Sequence, residues 1–178
     1  IAKLQYPVIL KWSNPHDVMK DARQPKISIE KIIYCYSQQE LTKWMTVYQP
    51  LGRFPLIQEY CPGRGLGQFF FMHKGKALLT FQHERLHEWP PEGGFSTLCR
   101  GLPLVNHSCL QKKSVELLNK IGWEGVAMVE YRYDSHTGRA VLMEINGRFW
   151  GSLPLAYASN APFAWYTLCV MGNGRLPE

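Results

Sequence analysis

In Glu144-Ile145-Asn146-Gly147-Arg148, alternation along a strand puts Glu144 and Asn146 on one face, with Arg148 just past the strand end. A carboxylate and an amide oxygen on one face suit a hard divalent cation such as Mg²⁺. The guanidinium beside them suits a phosphate that such a cation accompanies. A second carboxylate, Glu130, stands in the preceding run Gly125-Val126-Ala127-Met128-Val129-Glu130-Tyr131. An acid in an apolar strand is costly unless it is paired or bound to a cation. Two readings follow: metal binding by Glu130, Glu144 and Asn146, or local pairing with Arg132 or Arg139.

Other side chains could serve the same chemistry. Lys11 ends an apolar strand, where it either clamps nucleotide phosphates as a point charge or reaches solvent. Gln58-Glu59-Tyr60-Cys61 lies at a strand end before a break. Its backbone groups could read a planar base along an edge, as any edge strand could. Gly63-Arg64-Gly65-Leu66-Gly67 follows neither the dinucleotide fingerprint nor the P-loop pattern, and reads as a turn in preference to a direct phosphate contact. Arg85 leads into a Pro/Gly stretch and either contacts phosphate or substrate or makes a surface salt bridge. His83 and His87 do not form a His-Glu-x-x-His metal helix, and no Gly-x-Ser-x-Gly elbow is present.

These residues need a scaffold. At 178 residues and 46% apolar content, the chain suits one large domain or two small lobes with a real core. Its net charge of +6 favours anionic partners, but the basic residues are scattered, which argues against a nucleic-acid stripe. The five cysteines lack CxxC spacing and read as reduced, mostly buried thiols of a cytoplasmic protein. No apolar run is long enough for a membrane span, and no signal peptide is visible. Both ends read as cuts through a longer protein.

Strands are expected at 6–11, 31–36 and 56–61, with a loop or short helix over 14–26. Ser37 and Glu40 form a capping box that opens a helix towards Tyr48, with Leu41, Trp44, Met45 and Tyr48 on one stripe. A hairpin of 68–72 with 76–82 turns at Lys74-Gly75, and 89–98 reads as a long irregular loop. A helix over 110–121 should face Val115, Leu118 and Ile121 inward. A second hairpin joins 124–133 to 140–145 through Ser135-His136-Thr137-Gly138, and a last helix covers 163–171. Hairpins with interleaved helices indicate an α+β fold.

Taken in order, these segments resemble the ATP-grasp superfamily. Tyr-Pro-Val-Ile-Leu-Lys (6–11) is similar to its lysine strand, and Leu-Ile-Gln-Glu-Tyr (56–60) to its adenine-binding segment. Gly-Val-Ala-Met-Val-Glu-Tyr (125–131) and Met-Glu-Ile-Asn-Gly-Arg-Phe (143–149) are similar to its two metal-binding strands. The likeness is to biotin carboxylase, the carbamoyl phosphate synthetase large subunit and uncharacterised carboxylate–amine ligases. Residues 85–97 and 148–152 look most like the uncharacterised group.

The resemblance implies two α/β lobes with antiparallel sheets and nucleotide between them: 1–60 as part of the central lobe and 61–178 as the C-terminal lobe. The family's N-terminal domain is absent from this chain. By that resemblance Lys11 touches the ATP phosphates, and Gln58, Glu59, Tyr60 and Cys61 hold adenine. Glu130, Glu144 and Asn146 hold Mg²⁺ or Mn²⁺, and Arg148 stabilises the transferred phosphoryl group. The implied reaction activates a carboxylate as an acyl-phosphate, which an amine then attacks. Alternatives are bicarbonate or carbamate phosphorylation, or a nucleotide-binding module without turnover. Many relatives carry a glycine-rich loop after the lysine strand; Trp12 to Lys26 holds no glycine. The substrates and the oligomeric state are not specified by these motifs.

Overall fold

Short β-rich runs broken by Pro and Gly produce sheets here, and helices fill the longer gaps. The computed structural model describes residues 4–21, 27–30, 32–89 and 95–177. The expected loop end at 22–26, Lys31 of the second strand and residues 90–94 of the expected long loop lie outside the described residues. The chain divides into two units, Ile1–Cys61 and Pro62–Glu178.

The first unit is a three-stranded antiparallel sheet of order β2-β1-β3, where β1 is Val8–Lys11, β2 Ile33–Cys35 and β3 Leu56–Glu59. Helix α1 (Pro15–Asp21) follows β1, and α2 (Gln38–Tyr48) follows β2. Ser37 caps α2 as expected, its hydroxyl accepting from the Glu40 N–H at 3.3 Å. The Glu40 carboxylate accepts from the Tyr36 N–H at 2.8 Å, one residue earlier than the capping box requires. Val8, Leu10, Trp12, Val18, Ile33, Cys35, Leu41 and Tyr48 form the core, with Trp44 and Met45 packed against it.

The second unit is a five-stranded antiparallel sheet of order β6-β5-β4-β7-β8. Its strands are β4 (Arg64–His73), β5 (Lys76–Trp89), β6 (Phe95–Gly101), β7 (Gly125–Tyr133) and β8 (Ala140–Asn146). Helix α3 (Ser108–Lys120) precedes β7, and α4 (Leu153–Ala158), α5 (Phe163–Tyr166) and a π-helical stretch (Thr167–Gly172) follow β8. The β4–β5 turn uses two residues of positive φ, Lys74 and Gly75, whose twist matches the flanking strands. Phe69, Phe70 and Phe71 point to alternate faces and all are fully buried, because both faces of β4 are covered. Phe70 joins Leu66, Met72, Ala127, Val129 and Tyr131 beneath Leu118 of α3. Phe69 and Phe71 join Phe81 and Met128 beneath Ala156 of α4, Phe163 of α5 and Val170. Burial of this kind contributes about 2–3 kcal/mol per phenylalanine.

Several expectations need correction. Residues 64–67 are strand, because β4 starts at Arg64 instead of at Gln68. Residues 95–98 belong to β6, which pairs with the long β5. The α4 helix has too short an apolar pattern to be read in advance. Ile121 caps α3 and is exposed, whereas Leu118 is buried. The cysteines are all free, yet only Cys35 and Cys169 are buried; Cys109 is exposed.

Candidate functional site

Opposite residues of an antiparallel pair share a face, so register alone assembles the site. Across β5, β4, β7 and β8 one row reads His83, Gly67, Glu130, Glu144. The next row on that face reads Phe81, Phe69, Met128, Asn146. The two carboxylates therefore face each other on neighbouring strands, beside a register shift between Glu130 and Tyr131. The Asn146 amide nitrogen donates to the Glu144 carboxylate at 2.6 Å. Glu144 is exposed on edge strand β8, whereas Glu130 is buried.

β4 contributes two residues without side chains to this face. A Cβ added at Gly65 would lie 2.5 Å from Arg85 Cδ and 3.0 Å from Glu88 Oε1. One added at Gly67 would lie 2.8 Å from His83 Nε2. The glycines read as a turn are thus strand residues that let β5 side chains cross β4 towards β7.

Arg85 uses that passage. Its Nη2 donates to Glu130 Oε2 at 2.5 Å and its Nη1 to Glu88 Oε1 at 3.3 Å. Arg132 donates to the other oxygen of Glu88 at 2.6 Å. Local pairing of Glu130 is therefore with Arg85 of β5, and Arg132 of its own strand is engaged by Glu88. The Arg85 side chain is only 15% exposed, so its ion pairs are not the surface bridge one of the sequence readings envisaged.

Burial raises the Glu130 carboxyl above its ordinary range. The Arg85 guanidinium opposes that shift, and the negative charges of Glu144 and Glu88 add to it. Burial is the larger part of that shift, and a divalent cation bound at this row would oppose it. Among the described residues no three His, Cys, Asp or Glu side chains cluster as a ready-made metal site. The candidate donors brought together here are two carboxylates and an amide.

Beyond β8, Arg148 is exposed and its Nη1 donates to the Phe149 carbonyl at 3.2 Å. His83, excluded above as part of a metal helix, has a different place in the structure. It is buried, with Nδ1 3.1 Å from the Ser152 hydroxyl and its ring set edge-on to Phe69 at 4.8 Å. Its Nε2 has no hydrogen-bond partner among the described residues. Burial, helped by the Arg85 charge, pushes its pKa down to about 4, so it is neutral near pH 7. The available signal was alternation, since His83 and Arg85 lie two apart on one strand.

In the first unit, Lys11 is exposed at the end of β1, opposite Leu56, while Ile9 faces Gln58 and Val8 faces Glu59. All four β3 side chains are exposed, and among the described residues of its sheet β3 pairs with β1 alone. Tyr60 and Cys61 follow the strand, and the Tyr60 ring lies 6.2 Å from that of Tyr34.

No protein-family model matches the chain, and no curated protein matches it in sequence. Solved structures do match. The biotin carboxylase domain of 2-oxoglutarate carboxylase from Hydrogenobacter thermophilus, in complex with MgADP, ADP and bicarbonate, aligns with a TM-score of 0.67 at 16% identity. That alignment covers 98% of this chain and 38% of the other. The ADP complex of N5-carboxyaminoimidazole ribonucleotide synthetase aligns with a TM-score of 0.65 at 14% identity, covering 99% and 44%. An L-amino acid ligase from Bacillus licheniformis aligns with a TM-score of 0.54 at 15% identity, covering 88% and 35%. The chain spans less than half the length of these three structures. They are ATP-grasp proteins, and this α+β chain of two antiparallel sheets has the ATP-grasp fold.

Proposed function

We propose that this chain is the nucleotide- and metal-binding part of an ATP- and Mg²⁺-dependent ligase that joins a carboxylate to an amine. The observation that carries the reading is the facing pair Glu130 and Glu144 with Asn146 beside them. Two carboxylates and an amide oxygen fit a hard cation, which Glu130, Glu144 and Asn146 would hold. The cation, Mg²⁺ or Mn²⁺, supplies charge neutralisation at the phosphates when bound.

The chain's own residues then have separate tasks. Glu144, whose Oε1 accepts from the Asn146 amide nitrogen, would present its second oxygen to the cation, and Asn146 its amide oxygen. Glu130 is kept in place by Arg85, which in turn is held by Glu88. Arg148, exposed past the strand, stabilises the phosphoryl group in transfer. Lys11 contributes a point charge to the phosphates. The backbone of Gln58, Glu59, Tyr60 and Cys61 offers hydrogen-bonding groups to adenine, in keeping with the exposed position of β3. A carboxylate oxygen attacks the γ-phosphorus and ADP leaves. The amine nitrogen then attacks the acyl carbon, the C–O bond to phosphate breaks, and the amine loses a proton. Positioning and charge supply the catalysis in both steps.

The test is Mg-ATP-dependent ADP release by the full-length protein across a panel of carboxylates and amines. Turnover is expected with at least one pair and is lost in Glu144→Ala. Undiminished turnover in that variant sinks the site assignment. Bicarbonate as the carboxylate is a second reading, favoured by the bicarbonate in the Hydrogenobacter structure. Bicarbonate-dependent ADP release without an organic carboxylate distinguishes it.

A further inference from the structure

We infer that Trp123 is a positioning residue for the Asn146–Arg148 turn, acting through Gly147; the inference rests on the metal and phosphate roles proposed above. Trp123 lies between α3 and β7. Its backbone N–H donates to the Leu118 carbonyl at 2.9 Å, tying it to the end of α3. Its indole N–H donates to the Val126 carbonyl at 3.0 Å, which fixes the ring plane against the start of β7. The rest of the ring packs against the core that contains Leu118, Ala127 and Val129.

The far edge of that ring occupies the space a side chain at residue 147 would need. A Cβ on Gly147 would stand 2.5 Å from Trp123 Cζ2 and 2.6 Å from Cη2. Those atoms belong to a ring anchored at both ends, so it cannot swing aside cheaply. Gly147 is not among the residues of positive φ. Its backbone conformation is therefore open to any residue, and space alone demands glycine here. Gly151, in the same segment, shows the contrast, since an added Cβ there meets nothing within 4 Å.

The consequence concerns three consecutive residues. Asn146 carries the amide proposed for the cation, and Arg148 the guanidinium proposed for the phosphoryl group. The residue between them rests its backbone on an indole. Emptying the space under Gly147, or forcing a methyl into it, displaces both neighbours together. A displacement of about 1 Å is enough to cost an order of magnitude or more at a preorganised site.

The experiment titrates the full-length protein with Mn²⁺ alone, following free Mn²⁺ by electron paramagnetic resonance. Trp123→Ala and Gly147→Ala are each expected to weaken binding about tenfold, because the two residues form one contact. The double variant is expected to stay near the level of Trp123→Ala, since the methyl no longer meets a ring. Gly151→Ala is expected to match the wild type. Where Gly147→Ala alone fails to fold, the double variant is expected to fold and bind. Losses that multiply towards about a hundredfold in the double variant overturn the inference, as does Gly147→Ala binding within about twofold of wild type. If Glu144→Ala binds Mn²⁺ as tightly as wild type, the underlying metal assignment fails and the brace with it. If Glu144→Ala loses binding while Gly147→Ala keeps it, only the brace fails.

Discussion

The two faces of the five-stranded sheet both bury polar groups, and they treat them in opposite ways. On the α3 face, Gln68, Gln82, Ser114 and Tyr131 close a network. Ser114 bridges Gln68 Oε1 and the Tyr131 hydroxyl at 2.7 Å each, and Gln111 and the Pro103 carbonyl satisfy Gln82. On the other face the row His83, Gly67, Glu130, Glu144 holds a buried nitrogen without a partner among the described residues and a carboxyl raised above its ordinary range. A satisfied buried network specifies packing. An unsatisfied one is a strain reservoir or a place for a ligand. Both faces carry apolar core, and under the proposed function the second is the one that would also carry the chemistry.

Substitutions can break that contrast. The largest effect is expected from Glu144→Ala: ADP release by the full-length protein falls about a thousandfold. Its melting temperature stays within a few degrees of wild type, because Glu144 is exposed. A large stability loss instead would place Glu144 with the structural face.

Arg85→Leu should cost about 3–5 kcal/mol near pH 7, because Glu130 is left buried without its partner. The sign of its pH dependence is fixed. Without Arg85 the folded-state pKa of Glu130 rises further, so the native state binds more protons than the unfolded chain. The deficit therefore shrinks as pH falls through that raised pKa, which urea melts at neutral and mildly acidic pH would reveal.

His83 moves the other way. Its folded pKa of about 4 lies below the ordinary 6.5, so the unfolded state binds more protons between those values. Its contribution is full above pH 6.5 and is lost as pH falls towards 4, by about 3 kcal/mol in all. The stability difference between wild type and His83→Gln should narrow across that window; a constant difference overturns the assignment of a neutral imidazole.

The smallest effect is expected from Ser114→Ala, about 1–3 kcal/mol of stability for the two side-chain hydrogen bonds lost. ADP release per folded molecule should be unchanged. A selective loss of activity would give the α3 face a catalytic part and dissolve the contrast.

Local rules made much of this legible. The β4–β5 and β7–β8 hairpins followed from turn residues and alternation, and α2 from its cap. Glu144 and Asn146 fell on one face because period two is strict, whereas Glu130 came opposite Glu144 only through the β7–β8 register. What escaped depended on distant partners. Ser114 reads as an ordinary helix-surface residue until Gln68 and Tyr131 are brought to it. His83 meets Ser152 from 69 positions away. Gly65 and Gly67 look like a turn in a linear reading, since only the crossing side chains of Arg85 and His83 show why a strand lacks side chains there.

The strand order also carries a kinetic consequence. β4–β5 and β7–β8 are each local hairpins, and they meet only at the β4–β7 seam. Glu130 and Glu144 are brought face to face within the second hairpin, but Arg85 arrives with the first. Closing the seam requires the longest loop in the sheet, so docking of the two hairpins is expected to be the slowest step of sheet formation. An early folding species would therefore hold its paired acids without their counter-charge. The guanidinium enters as the hairpins dock, and the ion pair becomes a marker for the completion of folding.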